Sequence, residues 1–167
     1  MVREIVQVGT PVLRQLARVV THDEIRSPAI AELIESMRET MLAAYGVGLA
    51  GPQIGEPLQI AVIEDPAEGL DPADAAIRRC CHVQFHVIVN PEIEILEGGS
   101  VVFLESCLSV TGFVAEVPRA VSVRVKALNH RGVPQSRFSL GVEAWYHVPV
   151  VEGTQPSSRN RPPTFVS

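Results

Sequence analysis

Glu105-Ser-Cys-Leu-Ser-Val-Thr-Gly112 sets a cysteine two residues after a carboxylate and just before a small polar turn. Apolar Val101–Leu104 precedes the stretch and Phe113–Val117 follows it. A thiolate is a soft ligand for zinc or ferrous iron and is also a nucleophile; a buried structural cysteine is the plainer alternative. A second stretch, Gly46-Val-Gly-Leu-Ala-Gly-Pro-Gln-Ile-Gly55, bears on that choice. Its glycines let backbone approach a ligand closely. It is no phosphate loop, since no Gly-Lys-Ser/Thr follows. Gln53 within it carries a side-chain amide, and such a donor beside a reactive centre is worth ~3–4 kcal/mol of barrier when it meets a developing oxyanion.

Together, Gly46–Gly55 and Glu105–Ser109 resemble the first two signature motifs of the peptide deformylases, which remove the formyl group from nascent chains. That pattern is roughly Gly-x-Gly-Leu-Ala-Ala-x-Gln followed by Glu-Gly-Cys-Leu-Ser. The chain departs from it with Gly51 for the second alanine and Ser106 for the glycine. The likeness runs from about Ile5 to about Val125. It implies a metal site for Fe²⁺ or Zn²⁺ with Cys107 as a ligand. It also implies Gln53 and the backbone N–H of Leu108 as oxyanion donors, Glu105 as an orienting carboxylate, and Val47 and Gly48 flanking the bound peptide. The implied substrates are N-formylmethionyl peptides, the nascent chains of the ribosome.

The bulk numbers agree with one globular domain. The chain has 167 residues, 46% hydrophobic and 20% charged, enough for a single core. A net charge of −5 without a long basic run gives no nucleic-acid footprint. Met-Val-Arg-Glu-Ile has no signal core, and no stretch is apolar for long enough to span a membrane. Three cysteines, with Cys80 and Cys81 adjacent, form no disulfide framework, so a reducing cytoplasm is expected.

Read in order, Val2–Val8 is apolar without a clean period, and Gly9–Leu13 turns into a short helical segment. Ser27-Pro28 opens the one clear helix, with Ile30, Leu33, Ile34, Met37, Met41 and Leu42 as its apolar stripe and Gly46 placed to stop it. Leu58–Glu64 reads as a strand, and Asp65–Arg79 as a surface insertion. Cys80-Cys81-His82 and His86 suggest a metal site, but a strand over Gln84–Val89 sets the histidines several ångströms apart. Val87–Asn90, Glu92–Leu96 and Val101–Leu104 read as short strands punctuated by Pro91 and Gly98-Gly99; Val121–Leu128 is a longer one ended by Asn129–Gly132. The fold expected is α+β: short antiparallel strands around a deformylase-like core over residues 1–148, one N-terminal helix, and an irregular tail over 149–167.

The tail is where the family pattern fails. The family's other two ligands and its base lie in His-Glu-x-x-His on a helix, and this sequence contains no such motif. Downstream of Cys107 stand only His130 and His147, followed by Pro149, Pro156, Pro162 and Pro163. An interior proline costs about 3 kcal/mol in a helix, so no long helix is expected there. Its loss would uncover the sheet, and four or five large side chains at roughly 1.5–3 kcal/mol each approach a domain's whole ~5–15 kcal/mol. On this basis the chain is expected to be impaired or inactive. Synonymous codons exist that explain the divergence. TCA CGA AAT CGA CCA CCT spells Ser158–Pro163 and, read one base later, gives His-Glu-Ile-Asp-His. Carried back to Val151, permitted codons give Trp-Lys-Ala-Arg, and Trp-x-Ala-Arg is frequent there in the family. A frame change near Val150, in the gene or in its sequencing, is therefore expected. A non-catalytic family member, and a cysteine hydrolase pairing Cys107 with His130 or His147, are the alternatives.

Overall fold

A computed structural model describes residues 1–65, 83–140 and 164–166, with backbone alone over 137–140 and 164–166. Ser27 starts the principal helix, α2 (Pro28–Ala43): its hydroxyl accepts from the Ile30 N–H at 3.3 Å, and Pro28 takes the first position, where no N–H is needed. Immediately before it, the short α1 (His22–Ile25) is closed by a reciprocal cap between Thr21 and Glu24. Ile30, Leu33, Ile34, Met37 and Met41 bury one face of α2, and both methionines are fully enclosed as core filler. Leu42, expected in that stripe, is instead exposed. Nor does Gly46 end the helix by its own backbone freedom. Tyr45 takes the left-handed conformation at φ 54°, and the Gly46 N–H then donates back to the Met41 carbonyl at 2.9 Å.

Two antiparallel sheets follow. The larger has the order β1-β2-β3-β6-β7, formed by Gly48–Ala50, Ile60–Asp65, Val83–Ile95, Ser122–Leu128 and Pro134–Leu140. The smaller has the order β4-β5-β8, from Ser100–Cys107, Val110–Ala120 and Thr164–Val166. The α+β class and the antiparallel pairing are as expected. The segments read as separate around Pro91 are one strand, β3. Asn90 sits at φ 51° in a bulge where the β3–β6 register shifts between Val89 and Glu92, so Pro91 passes without ending the strand. The Asn90 side chain exchanges two 2.8 Å hydrogen bonds with the Val20 backbone, which holds that bulge.

β2 alternates across the sheet. Ile60 and Val62 join Leu49, Val87 and Val89 under α2, while Ala61 and Ile63 join Ile88 and Val83 on the opposite side. Both sides are buried at the centre, so the opposite face is not laid bare as the missing-helix expectation had it. The β4–β5 hairpin is the exposed part: Val102, Leu104 and Val114 share one open face. The Asp65–Arg79 insertion after its first residue, Cys80, Cys81, His82, His147 and the tail from 149 up to Thr164 lie outside the described residues. No described helix is long and apolar enough to cross a membrane.

Candidate active site

The Gly46–Gly55 stretch, expected as a loop, is a strand followed by a tight turn. Gly48, Leu49 and Ala50 pair with Ile63, Val62 and Ala61, and Gly51–Ile54 then coils as a 3-10 turn closed by Gly55 at φ 82°. Gly51 is glycine for a packing reason. A Cβ there would lie 2.9 Å from the Glu56 carbonyl oxygen and 3.0 Å from that of Leu58. The turn points Gln53 at the cysteine. Its Oε1 accepts from the Ala50 N–H at 2.9 Å, so its NH₂ faces outward, 3.4 Å from Ser109 Oγ and 3.9 Å from Cys107 Sγ. Satisfying the amide oxygen locally decides which end of the side chain meets the thiol.

Cys107 ends β4 at a bulge, where the β4–β5 register shifts after Ser106, and its thiol is exposed and free. Leu108 turns its side chain inward onto the main core. Gly46 makes room for it: a Cβ at that position would stand 2.7 Å from Leu108 Cδ1. The two motifs therefore touch through Gly46–Leu108 and through Gln53 with Cys107 and Ser109. Val47 is half-buried against the second core cluster, and its carbonyl accepts from the Glu64 N–H at 3.1 Å; Gly48 opens β1 beside it.

Glu105 is held from the side. Arg119 Nε and Nη2 donate to its two carboxylate oxygens at 2.7 and 2.8 Å, and both side chains are about nine-tenths buried. Sequence reasoning missed Arg119 and Ser109 as members of this site. The antiparallel register supplies the missing signal for the first, because Glu105–Ala115 and Val101–Arg119 face each other in register and share a face of the hairpin.

No three His, Cys, Asp or Glu side chains gather to hold a metal ion among the described residues. Among the described residues, one cysteine sulfur with a neutral amide and a hydroxyl beside it falls short of the about three protein ligands that Fe²⁺ or Zn²⁺ takes. His86 is buried in β3 with Nδ1 2.8 Å from the Gln84 carbonyl, and its sequence neighbours in the Cys80–His82 suggestion are outside the described residues. His130 sits in the turn joining β6 to β7, in the other sheet from Cys107.

The profile of the polypeptide deformylases matches residues 2–147. The chain belongs to that family. Peptide deformylase 1 of Streptomyces coelicolor is 45% identical over 129 residues, covering 77% of this chain and 58% of its own length. The Arabidopsis thaliana protein named peptide deformylase 1A, chloroplastic/mitochondrial, is 40% identical over 147 residues, covering 85% and 53%. The chain thus spans about half the length of the curated deformylases it matches. Among solved structures, the deformylase from Legionella pneumophila aligns with a TM-score of 0.76 at 34% identity, covering 92% of this chain and 81% of that one. The Met-Ala-Ser-bound deformylase from Acinetobacter baumannii aligns at 0.82 and 28% identity, covering 92% and 93%.

Proposed function

We propose that the chain carries the peptide-side half of a deformylase site, built to hydrolyse the N-formyl group of N-formylmethionyl nascent peptides in the cytoplasm. As this polypeptide it does not complete the reaction. The observation that supports the first part is the Gln53 amide. Its oxygen is tied to Ala50 and its NH₂ stands 3.9 Å from the Cys107 thiol. A preorganised donor in that place stabilises the oxyanion that forms when the formyl carbonyl is attacked, together with the Leu108 N–H. Val47 and Gly48, on the neighbouring strand β1, flank the peptide in this assignment, and Glu105 orients the cysteine turn with Arg119 behind it.

The second part is supported by chemistry the sequence lacks. A mononuclear hydrolytic site takes about three protein ligands and a general base, and Cys107 supplies one ligand. The family match ends at residue 147, three residues before the frame change expected near Val150. We assign the divergence after Val150 to that change. In the restored frame the imidazoles would join Cys107 around Fe²⁺ or Zn²⁺, which supplies a polarised water for attack.

Metal content of the purified 167-residue chain, measured beside formate release from a formyl-methionyl peptide, tests the proposal. Metal far below one equivalent and no turnover are expected. Stoichiometric metal or brisk formate release refutes it. The coding DNA tests the frame: codons that do not spell the motif one base over end that part of the assignment.

A further inference from the structure

Residues 6–8 cross between the two halves of the site. The Val6 N–H donates to the Gln53 carbonyl at 2.9 Å, and the Val8 N–H donates to the Ser109 carbonyl at 2.8 Å. Between them, Gln7 turns its side chain onto the cysteine turn. Its Nε2 donates to the Leu108 carbonyl at 3.1 Å and to the Ile5 carbonyl at 3.2 Å. Its Oε1 accepts from the Thr111 N–H at 3.3 Å and from the Thr111 hydroxyl at 3.0 Å. A glutamine has two donor hydrogens and two acceptor lone pairs, and all four are used here. A surface glutamine that merely solvates its strand leaves them to water. The Gln7 carbonyl is fixed as well, accepting from the Thr10 N–H at 3.1 Å and hydroxyl at 2.8 Å.

The hairpin needs such a fastening. Its base is tied where the Leu96 N–H meets the Ser122 carbonyl and the Val121 N–H meets that of Gly99. Its tip, which carries Cys107, Leu108 and Ser109, belongs to a different sheet from β1 and the Gln53 turn. The side chain of Leu108 is seated over Gly46, and its carbonyl is gripped by Gln7. The N-terminal segment thus holds both loops at once, through Gln53 on one side and through Leu108, Ser109 and Thr111 on the other.

We propose that Gln7 is the positioning residue of this site, clamping the Cys107–Thr111 turn against the Gln53 turn so that the Gln53 amide and the Leu108 N–H converge on one point. The proposal rests on the assignment of those two groups as oxyanion donors. Gln7 itself touches no substrate; it acts through Leu108 and Thr111.

Gln7→Met keeps the side-chain length and removes every side-chain hydrogen bond. In the full 167-residue chain, amide exchange at Thr111 and Val8 is expected to quicken about tenfold, as loss of one or two hydrogen bonds allows. The β2 amides should keep their rates. The NMR signature specific to positioning is a shift of the Gln53 side-chain amide, whose hydrogen bonds go to Ala50, Ser109 and Cys107 and not to Gln7; the Leu108 carbonyl, bonded to Gln7 directly, moves in either case. Gln7→Glu retains the acceptor pair to Thr111 and lacks the donor to Leu108. It should spare Thr111 exchange while still moving the Leu108 carbonyl resonance, and it serves alone if Gln7→Met does not fold. An unmoved Gln53 side-chain amide overturns the proposal, as does equal acceleration of every amide, β2 included. These readouts need neither metal nor turnover. If Gln53→Ala left a frame-restored enzyme at full rate, the oxyanion assignment would fall while the exchange data still decided whether Gln7 sets the turn.

Discussion

Replacing Glu105 by Gln should cost this protein far more than a surface charge removal does. The carboxylate and the Arg119 guanidinium form a two-bond fork at 2.7 and 2.8 Å, with each side chain only 10% exposed. Near 4 Å between charge centres and an effective dielectric of ~20, the attraction is ~4 kcal/mol. Desolvation of both ions offsets much of it, so the pair's net worth against apolar residues is near zero or negative. Breaking it from one side is different. The substituted amide would present one acceptor and one NH₂ to the Arg119 guanidinium, so one charge-assisted bond is weakened and a buried donor is set against a donor. The expected loss is about 3–5 kcal/mol. For a chain of this size each kcal/mol moves Tm by roughly 2–4 °C, so a fall of about 6–20 °C is expected.

Urea unfolding read by Trp fluorescence and by circular dichroism would measure it, with Glu94→Gln as the control. The Glu94–Arg124 pair has a similar 2.8 Å contact, but its side chains are 52% and 40% exposed, and such pairs contribute ~0–1 kcal/mol. A Glu105→Gln loss no larger than the control's would refute the reasoning.

Gly46→Ala should push Leu108 off its seat, since the new Cβ would lie 2.7 Å from Cδ1 and 3.4 Å from the Met41 carbonyl; a loss of about 1–3 kcal/mol is expected by chemical denaturation. Gln53→Ala in a frame-restored enzyme should lower kcat about 10²–10³-fold with little change in Tm, checked by steady-state formate release. Glu24 should titrate far below an ordinary carboxylate. Hydrogen bonds from the Arg18 guanidinium first, then from the Thr21 backbone and hydroxyl, hold it down from 4.5 to about 2. A lowered carboxyl stabilises the fold above its unfolded value and loses that contribution as pH falls through the folded one. The α1 cap should therefore weaken between about pH 4.5 and 2, and Glu24→Gln should remove that dependence, as followed by carboxyl NMR.

What the sequence made legible divides by the range of the interactions. The α2 start was readable because Ser27 and Pro28 act within one turn, and the Cys107 and Gln53 motifs because each is a local run. Its end was misread because a left-handed residue is usually glycine, whereas here Tyr45 takes that conformation and Gly46 is reserved for Leu108, distant in the chain and adjacent in space. Pro91 looked like a strand break for the same reason. Only the partner segment around Val20, which satisfies Asn90, turns the interruption into a bulge. Gln7 was invisible, since a polar residue in an aperiodic apolar run carries no signal until Leu108 and Thr111 are folded against it.

The same distinction governs how the site would respond to a restored tail. Among the described residues, these contacts on Gln53, Leu108 and Ser109 lie within residues 5–111: Ala50 holds one amide, Gly46 seats one side chain, and residues 6–8 join the two turns. None of these bonds calls on a residue beyond Thr111. The peptide-side half should therefore keep its geometry whether or not a metal-bearing helix is supplied, and restoring the frame should raise metal affinity and turnover from a site already in place. Amide resonances of Gln53 and Leu108 that differ widely between the 167-residue chain and its frame-restored counterpart without metal would show the opposite, that the later helix builds the donors as well as the ligands.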